Sequence, residues 1–172
     1  MKSILTILLF SILIVTSCKK EEIKESTNEN IPTFTGYTST DEVGYPMGLT
    51  DNSDWTLDDS WSTIEKELFN DYNSYNDDCT LDSNIKIRPG YPNAASDVFS
   101  ISLVKDSTIK FKIRLVNQKF ETLASLDSLS HNSIAFDVSE PRSNSESMLR
   151  VYYMFIKESN CLFKGHGDIK LN

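Results

Sequence analysis

Two histidines, three cysteines and scattered carboxylates are the residues of this chain whose types could carry chemistry. His166 stands in Gly165-His166-Gly167-Asp168, where a His-Asp pair supplies two of the three or four ligands a zinc ion needs, and nothing adjacent supplies the rest. The flanking glycines admit a close backbone approach, which suits a hairpin or a bulge. His131, in Ser130-His131-Asn132, reads as a solvated turn residue ahead of a strand. Serines and aspartates are plentiful, but no Gly-Xaa-Ser-Xaa-Gly turn presents a nucleophile. The acidic runs Asp51-Asn52-Ser53-Asp54 and Asp71 through Asp78 offer oxygens to calcium, yet lack the glycine and terminal glutamate of a calcium loop. Asp58 and Asp59 are adjacent, which is no evidence for the opposed carboxylates of a glycosidase. The expectation is a protein without catalytic residues, metal site or cofactor.

The cysteines point elsewhere. Cys18 follows a charged start, Met1-Lys2-Ser3, an apolar or hydroxyl-bearing run from Ile4 to Val15, and two small residues, Thr16-Ser17. A core of about a dozen residues is too short to cross ~30 Å of hydrocarbon, so the segment reads as a secretory signal covering residues 1–17. Val15-Thr16-Ser17-Cys18 resembles the bacterial lipobox. That resemblance implies a diacylglycerol on the Cys18 thiol, cleavage before it and an acylated new amine, enough hydrophobic chains for stable attachment. Residues 18–30 are polar and charged, as expected of a flexible tether. Within them Lys19-Lys20-Glu21-Glu22 resembles the export signal that carries lipoproteins to the outer leaflet in Gram-negative bacteria with type IX secretion. The chain is therefore expected at the cell outer membrane, lipid-anchored and surface-exposed.

Cys79 and Cys161 are left for each other or for two separate buried thiols. An oxidising compartment favours a disulfide, closing a loop of about eighty residues. Charge is divided unevenly along the chain. Residues 18–84 carry sixteen acidic against four basic side chains, whereas residues 85–172 carry nine against twelve. Without a basic patch to displace counterions, nucleic acid is not an expected partner.

The elements that would position these groups fall into two parts. Residues 31–84 form an irregular acidic segment with one helix, over about 57–70, because Leu57, Trp61, Ile64 and Leu68 recur on one face. Thr56 before Asp58-Asp59 suits its start, and Ser62 with Glu65 offers a second capping box. Trp61 is expected in the core. From Ile85 the period becomes two. Phe99-Ile101-Leu103, Ile109-Phe111-Ile113-Leu115, Ile134-Phe136-Val138 and Leu149-Val151-Tyr153-Phe155 each alternate with other side chains, and Lys110-Lys112-Arg114 faces outward. Lys105-Asp106-Ser107 reads as a tight hairpin, and Pro141 to Ser147 as a polar loop. The expected fold is mainly β: an Ig-like antiparallel β-sandwich over residues 85–172 with one packed N-terminal α-helix.

Tyr91-Pro92-Asn93-Ala94-Ala95-Ser96-Asp97, followed by an alternating strand, resembles the opening of type IX secretion C-terminal sorting domains. The resemblance implies an Ig-like sandwich and transfers no catalytic residue. Ala94 replaces that family's second proline, and the chain end lacks its usual last strands. Asp106-Ser107-Thr108 and Asp127-Ser128-Leu129 resemble an O-glycosylation sequon of the same bacteria, which would modify Ser107 and Ser128. Function is expected to be that of a structural or interaction module at the surface. One alternative is a glycan- or peptide-binding module using Trp55, Tyr72, Tyr75 or Tyr91 as exposed rings. The other is a degenerate sorting domain. The extracellular partner would be a protein or a glycan.

Overall fold

A computed structural model describes residues 31–80 and 84–172. The signal segment 1–17, the tether 18–30, Cys18 and Lys19-Lys20-Glu21-Glu22 lie outside the described residues. The chain is mainly β and its named strands pair antiparallel in two sheets.

In chain order the elements are β1 (Thr56–Leu57), α1 (Thr63–Glu67), a 3₁₀ turn (Tyr72–Ser74), β2 (Lys86–Ile87), β3 (Val98–Val104), β4 (Lys110–Asn117), β5 (Thr122–Leu129), β6 (Ser133–Asp137), α2 (Ser139–Ser143), β7 (Met148–Ile156) and β8 (Leu162–Lys170). One sheet runs β1-β8-β7-β4-β5 and the other β2-β3-β6. Between them lies the main core: Phe99, Ile101 and Leu103 of β3 meet Phe111, Ile113 and Leu115 of β4 and Val151, Tyr153 and Phe155 of β7. The alternation read from the sequence thus marks the inward face of each strand.

β7 is buried along nearly its whole length on both faces. Its other face, with Tyr152, Met154 and Ile156, packs against Phe34, Trp61, Phe69 and Tyr72 from the segment that precedes the sandwich. The polypeptide from Ile31 to Cys79 is therefore a strap across the outer face of the larger sheet. A strand covered on both sides reads as a nearly continuous apolar run, as Met148–Ile156 does.

The expected helix over 57–70 is shorter. Thr56 and Leu57 instead pair with His166 and Gly165, forming the edge strand β1. The helix begins only after Trp61, with Ser62 and Glu65 in a reciprocal capping box, and ends at Glu67 with Leu68 as its C-cap. Trp61 is buried, stacked on Phe69 and edge-on to Tyr152. Tertiary pairing of Leu57 and packing of Trp61 outweigh the helical spacing, since a helix this short draws little stability from its own hydrogen bonds.

The expected hairpin at Lys105-Asp106-Ser107 is also corrected. β3 pairs with β2 and β6, while β4 pairs with β5 and β7, so this connection crosses from one sheet to the other. Alternation says which side of a strand faces the core, not which sheet holds it. The expected polar loop from Pro141 to Ser147 begins inside α2, which runs from Ser139 to Ser143.

His166 lies in the middle of β8 rather than in a hairpin or bulge. The neighbouring glycines do serve close approach. A Cβ on Gly167 would collide with the Trp55 indole, and one on Gly165 would stand 2.7 Å from the Tyr153 ring. The two rings fill the space that side chains on β8 would otherwise take.

Cys79 and Cys161 form a disulfide across a sequence separation of 82. It fastens the end of the strap to the turn between β7 and β8, beside the hydrogen bonds from Asn76 N–H to the Asn160 carbonyl and from Leu162 N–H to the Asn76 carbonyl.

Candidate functional site

The outer face of the larger sheet carries the charges that the sequence directs away from the core. Lys112 and Arg114 are buried beneath the strap rather than solvated. Lys112 bonds Asp71, Arg114 bonds Asp127 at 3.0 Å, and Lys164 bonds Asp77 at 3.2 Å. His166 Nδ1 lies 2.9 and 3.0 Å from the two Asp58 oxygens, and the Trp61 indole N–H donates to Asp58 at 2.7 Å. Asp58, Asp71 and Asp77 of the acidic first half thus pair with His166, Lys112 and Lys164 of the second, although most of the acidic excess is left over. The His166–Asp58 pair is largely enclosed and works as a fastener between β8 and the strap. Among the described residues, no group of three His, Cys, Asp or Glu side chains is placed to hold a metal ion.

Also enclosed in this seam are Arg150 and Asp168. The guanidinium makes two bonds to the carboxylate, at 2.6 and 2.7 Å, and lies 4.4 Å from the Phe34 ring centroid. Asp54 sits beside them, accepting the N–H of Thr38 at 2.7 Å on one oxygen and the N–H of Asp168 on the other. Burial pushes its carboxyl up to about 7 against the pull of these two donors, and the Asp168 carboxylate adds to the rise. Such a group stabilises the fold fully below its unfolded value near 4, and the contribution fades as pH rises through 7. Asp77 runs the other way: the Tyr72 hydroxyl and Lys164 hold its carboxyl low, so its contribution is lost on acidification. Thermal melts from pH 3.5 to 8 should therefore show greatest stability on the acid side of neutrality. The decline between pH 5 and 8 should flatten in Asp54→Asn. An unchanged melting temperature over that interval in the wild type would place Asp54 in solvent contact.

The second candidate is a groove on the open side of the sandwich. β5 ends the larger sheet and β6 ends the smaller one, and among the described residues neither has a further strand outside it. An opening of about 880 Å³ runs between them. Leu115, Ala124, Leu126 and Phe136 line its interior, and Glu121, Asp137, Glu140 and Glu146 line it alongside one lysine, Lys119. Chemically this offers unpaired main-chain donors and acceptors, apolar lining and an excess of carboxylates. That combination suits an extended peptide added as a strand.

The residues singled out in the sequence are dispersed. Ser107 is exposed in the connection between the sheets. Ser128 is exposed too, within β5, at a positive φ where the pairing with β4 shifts register. His131 is exposed in the turn after β5. Trp55 and Tyr72 are buried, so neither presents a ring to a sugar, and Tyr75 and Tyr91 are half-buried. Asn93, in the middle of the Tyr91-Pro92-Asn93 motif, is fully buried. It donates from Nδ2 to the Thr38 and Asp168 carbonyls at 2.9 Å and accepts the Lys170 N–H at 2.8 Å, tying the strap to β8. The groove was not visible in sequence, because an open edge depends on strand order.

Compared with known proteins, the chain matches no family model and no curated protein.

Proposed function

We propose that the chain is a surface-anchored outer-membrane lipoprotein whose Ig-like sandwich is an interaction module for an extended segment of an extracellular protein. Lipid on Cys18 holds it, Lys19-Lys20-Glu21-Glu22 directs it to the outer leaflet, and the sandwich presents its open edges. The observation that carries the binding half of this reading is the groove between β5 and β6, where two unpaired edges flank apolar lining. Peptide is favoured over glycan because Trp55 and Tyr72, two of the four rings available for stacking, are buried. The excess of carboxylates at the groove favours a segment with basic side chains alternating with apolar ones. A separable sorting domain beginning at Tyr91 is disfavoured, because it would strip the strap from Tyr152, Met154 and Ile156.

Two measurements test the halves separately. Proteinase treatment of intact cells should remove the wild type and spare Lys20→Ala/Glu21→Ala/Glu22→Ala. Protection of both would place the chain on the periplasmic side. An eight-residue peptide of alternating valine and lysine, titrated into ¹⁵N-labelled protein, should shift amide signals of β5 and β6. Leu123→Lys, an exposed change on the groove edge, should abolish those shifts. Shifts confined to other surfaces, or none at all, would overturn the groove assignment.

A further inference from the structure

The largest exposed apolar side chains lie together in one short stretch. Val43 is 70% exposed, Tyr45 70%, Met47 59% and Leu49 53%, at every second position, with Gly44, Pro46 and Gly48 between them. This stretch is a built hairpin. Asp41 N–H donates to the Tyr45 carbonyl at 3.0 Å, and the Asp41 carboxylate accepts the N–H groups of Val43 at 3.0 Å and Tyr45 at 2.8 Å. Met47 N–H reaches the Ser39 carbonyl, and Ser39 N–H the Leu49 carbonyl, each at 2.8 Å. Gly44 takes a φ of +90° with its backbone against the Tyr91 ring. Apolar groups held in solvent by so many local bonds mark a surface shaped for contact.

Where the chain enters the domain identifies the occupant. The register places Val116, Arg150 and Asp168 in one row across the larger sheet. The strap follows that row: the Thr33 carbonyl meets Arg150, Thr38 bonds Asp54 beside Asp168, and Thr40 pairs with Asn93 at the base of the hairpin. Ile31 lines one pocket with Lys119, Phe120 and Thr122, which follow the end of β4. The entry point and the hairpin base are therefore at the same end of the strands. Thirteen peptide steps separate Cys18 from Ile31 and cannot span more than about 45 Å. That is of the order of the diameter of a domain this size, whose radius of gyration is roughly 14 Å.

We infer that the Ser39–Leu49 hairpin rests in the headgroup region of the same bilayer that holds the Cys18 lipid, a second contact that orients the domain. The inference rests on the lipid-anchor reading. Tyr45 suits the role, with an apolar ring and a polar tip.

The test uses the full lipidated chain with Tyr45→Trp in phosphatidylcholine–phosphatidylethanolamine vesicles containing a lipid nitroxide near the headgroup. Trp55 and Trp61 are buried and give a constant background. The expected result is a blue-shifted emission from the introduced indole that the nitroxide quenches roughly twofold, a depth consistent with interfacial insertion. Val43→Ser/Met47→Ser in the same background should remove both effects. An introduced indole quenched freely by aqueous acrylamide and untouched by the nitroxide would overturn the inference while the anchor stands. The mass of the chain separates the two ideas: an unacylated Cys18 would overturn the anchor and this inference together. A dimer in solution that Val43→Ser/Met47→Ser abolishes would assign the hairpin to a second copy instead.

Discussion

Replacing Arg150 with alanine should destabilise the protein by about 3–5 kcal/mol, the typical cost of leaving one member of a buried ion pair without its partner. Both side chains of the pair are almost wholly buried, at 8% and 5% exposure, and the bonding is bidentate. Truncation would leave the Asp168 carboxylate enclosed beside Asp54 with no cation between them. It would also remove the guanidinium from the Phe34 ring and from the Thr33 carbonyl. Urea unfolding of the full chain is the measurement. Arg150→Met/Asp168→Leu should recover most of the loss, since removing both charges together avoids stranding either one. A cost below about 1 kcal/mol for the single variant would mean that water reaches the pair and screens it, as at exposed ion pairs.

Removing the disulfide should have an effect of similar size by a different route. A separation of 82 residues between Cys79 and Cys161 corresponds to about 4–5 kcal/mol in the chain-entropy account. Because that constraint acts on the unfolded chain, Cys79→Ser/Cys161→Ser should keep the far-ultraviolet circular dichroism of the wild type. Its urea midpoint should fall by the corresponding amount. Dithiothreitol should lower the wild-type midpoint to that of the variant and leave the variant unchanged. A variant as stable as the wild type would mean that the bridge does not restrict the unfolded chain as this account requires.

Four strands were legible because apolar residues at every second position mark β3, β4, β6 and β7. β8 was hidden. Its inward positions include Gly165 and Gly167, and the side chains that fill that space belong to Tyr153 and Trp55. What remained visible was Lys164, His166 and Asp168, which look like a polar loop until the strap covers them. β5 was hidden by its irregular register: Ala124, Leu126 and Leu129 all pack on the core, but their spacing is two and then three. The helix was overextended because Leu57 fits a helical stripe and an edge strand equally well.

The candidate sites were less legible than the fold. The imbalance of charge between the two halves was plain in the sequence. The partners that meet part of it are far apart in sequence, such as Asp58 with His166 and Asp77 with Lys164. The pairing of Cys79 with Cys161 was readable because both stood in a chain expected to be exported. The groove and the hairpin came from strand order and from burial, neither of which composition reveals.

The strap also sets an order of events. β1 cannot pair until β8 exists, and Asp54 finds the Asp168 N–H across 114 residues. Contacts this distant in sequence make folding slow, because loop-closure entropy must be overcome before they form. Closure of the strap over the larger sheet therefore waits for β8. Threaded through a membrane from its N-terminus, as the proposed export would require, the chain would stay pliable under such a rule until β8 had emerged on the far side.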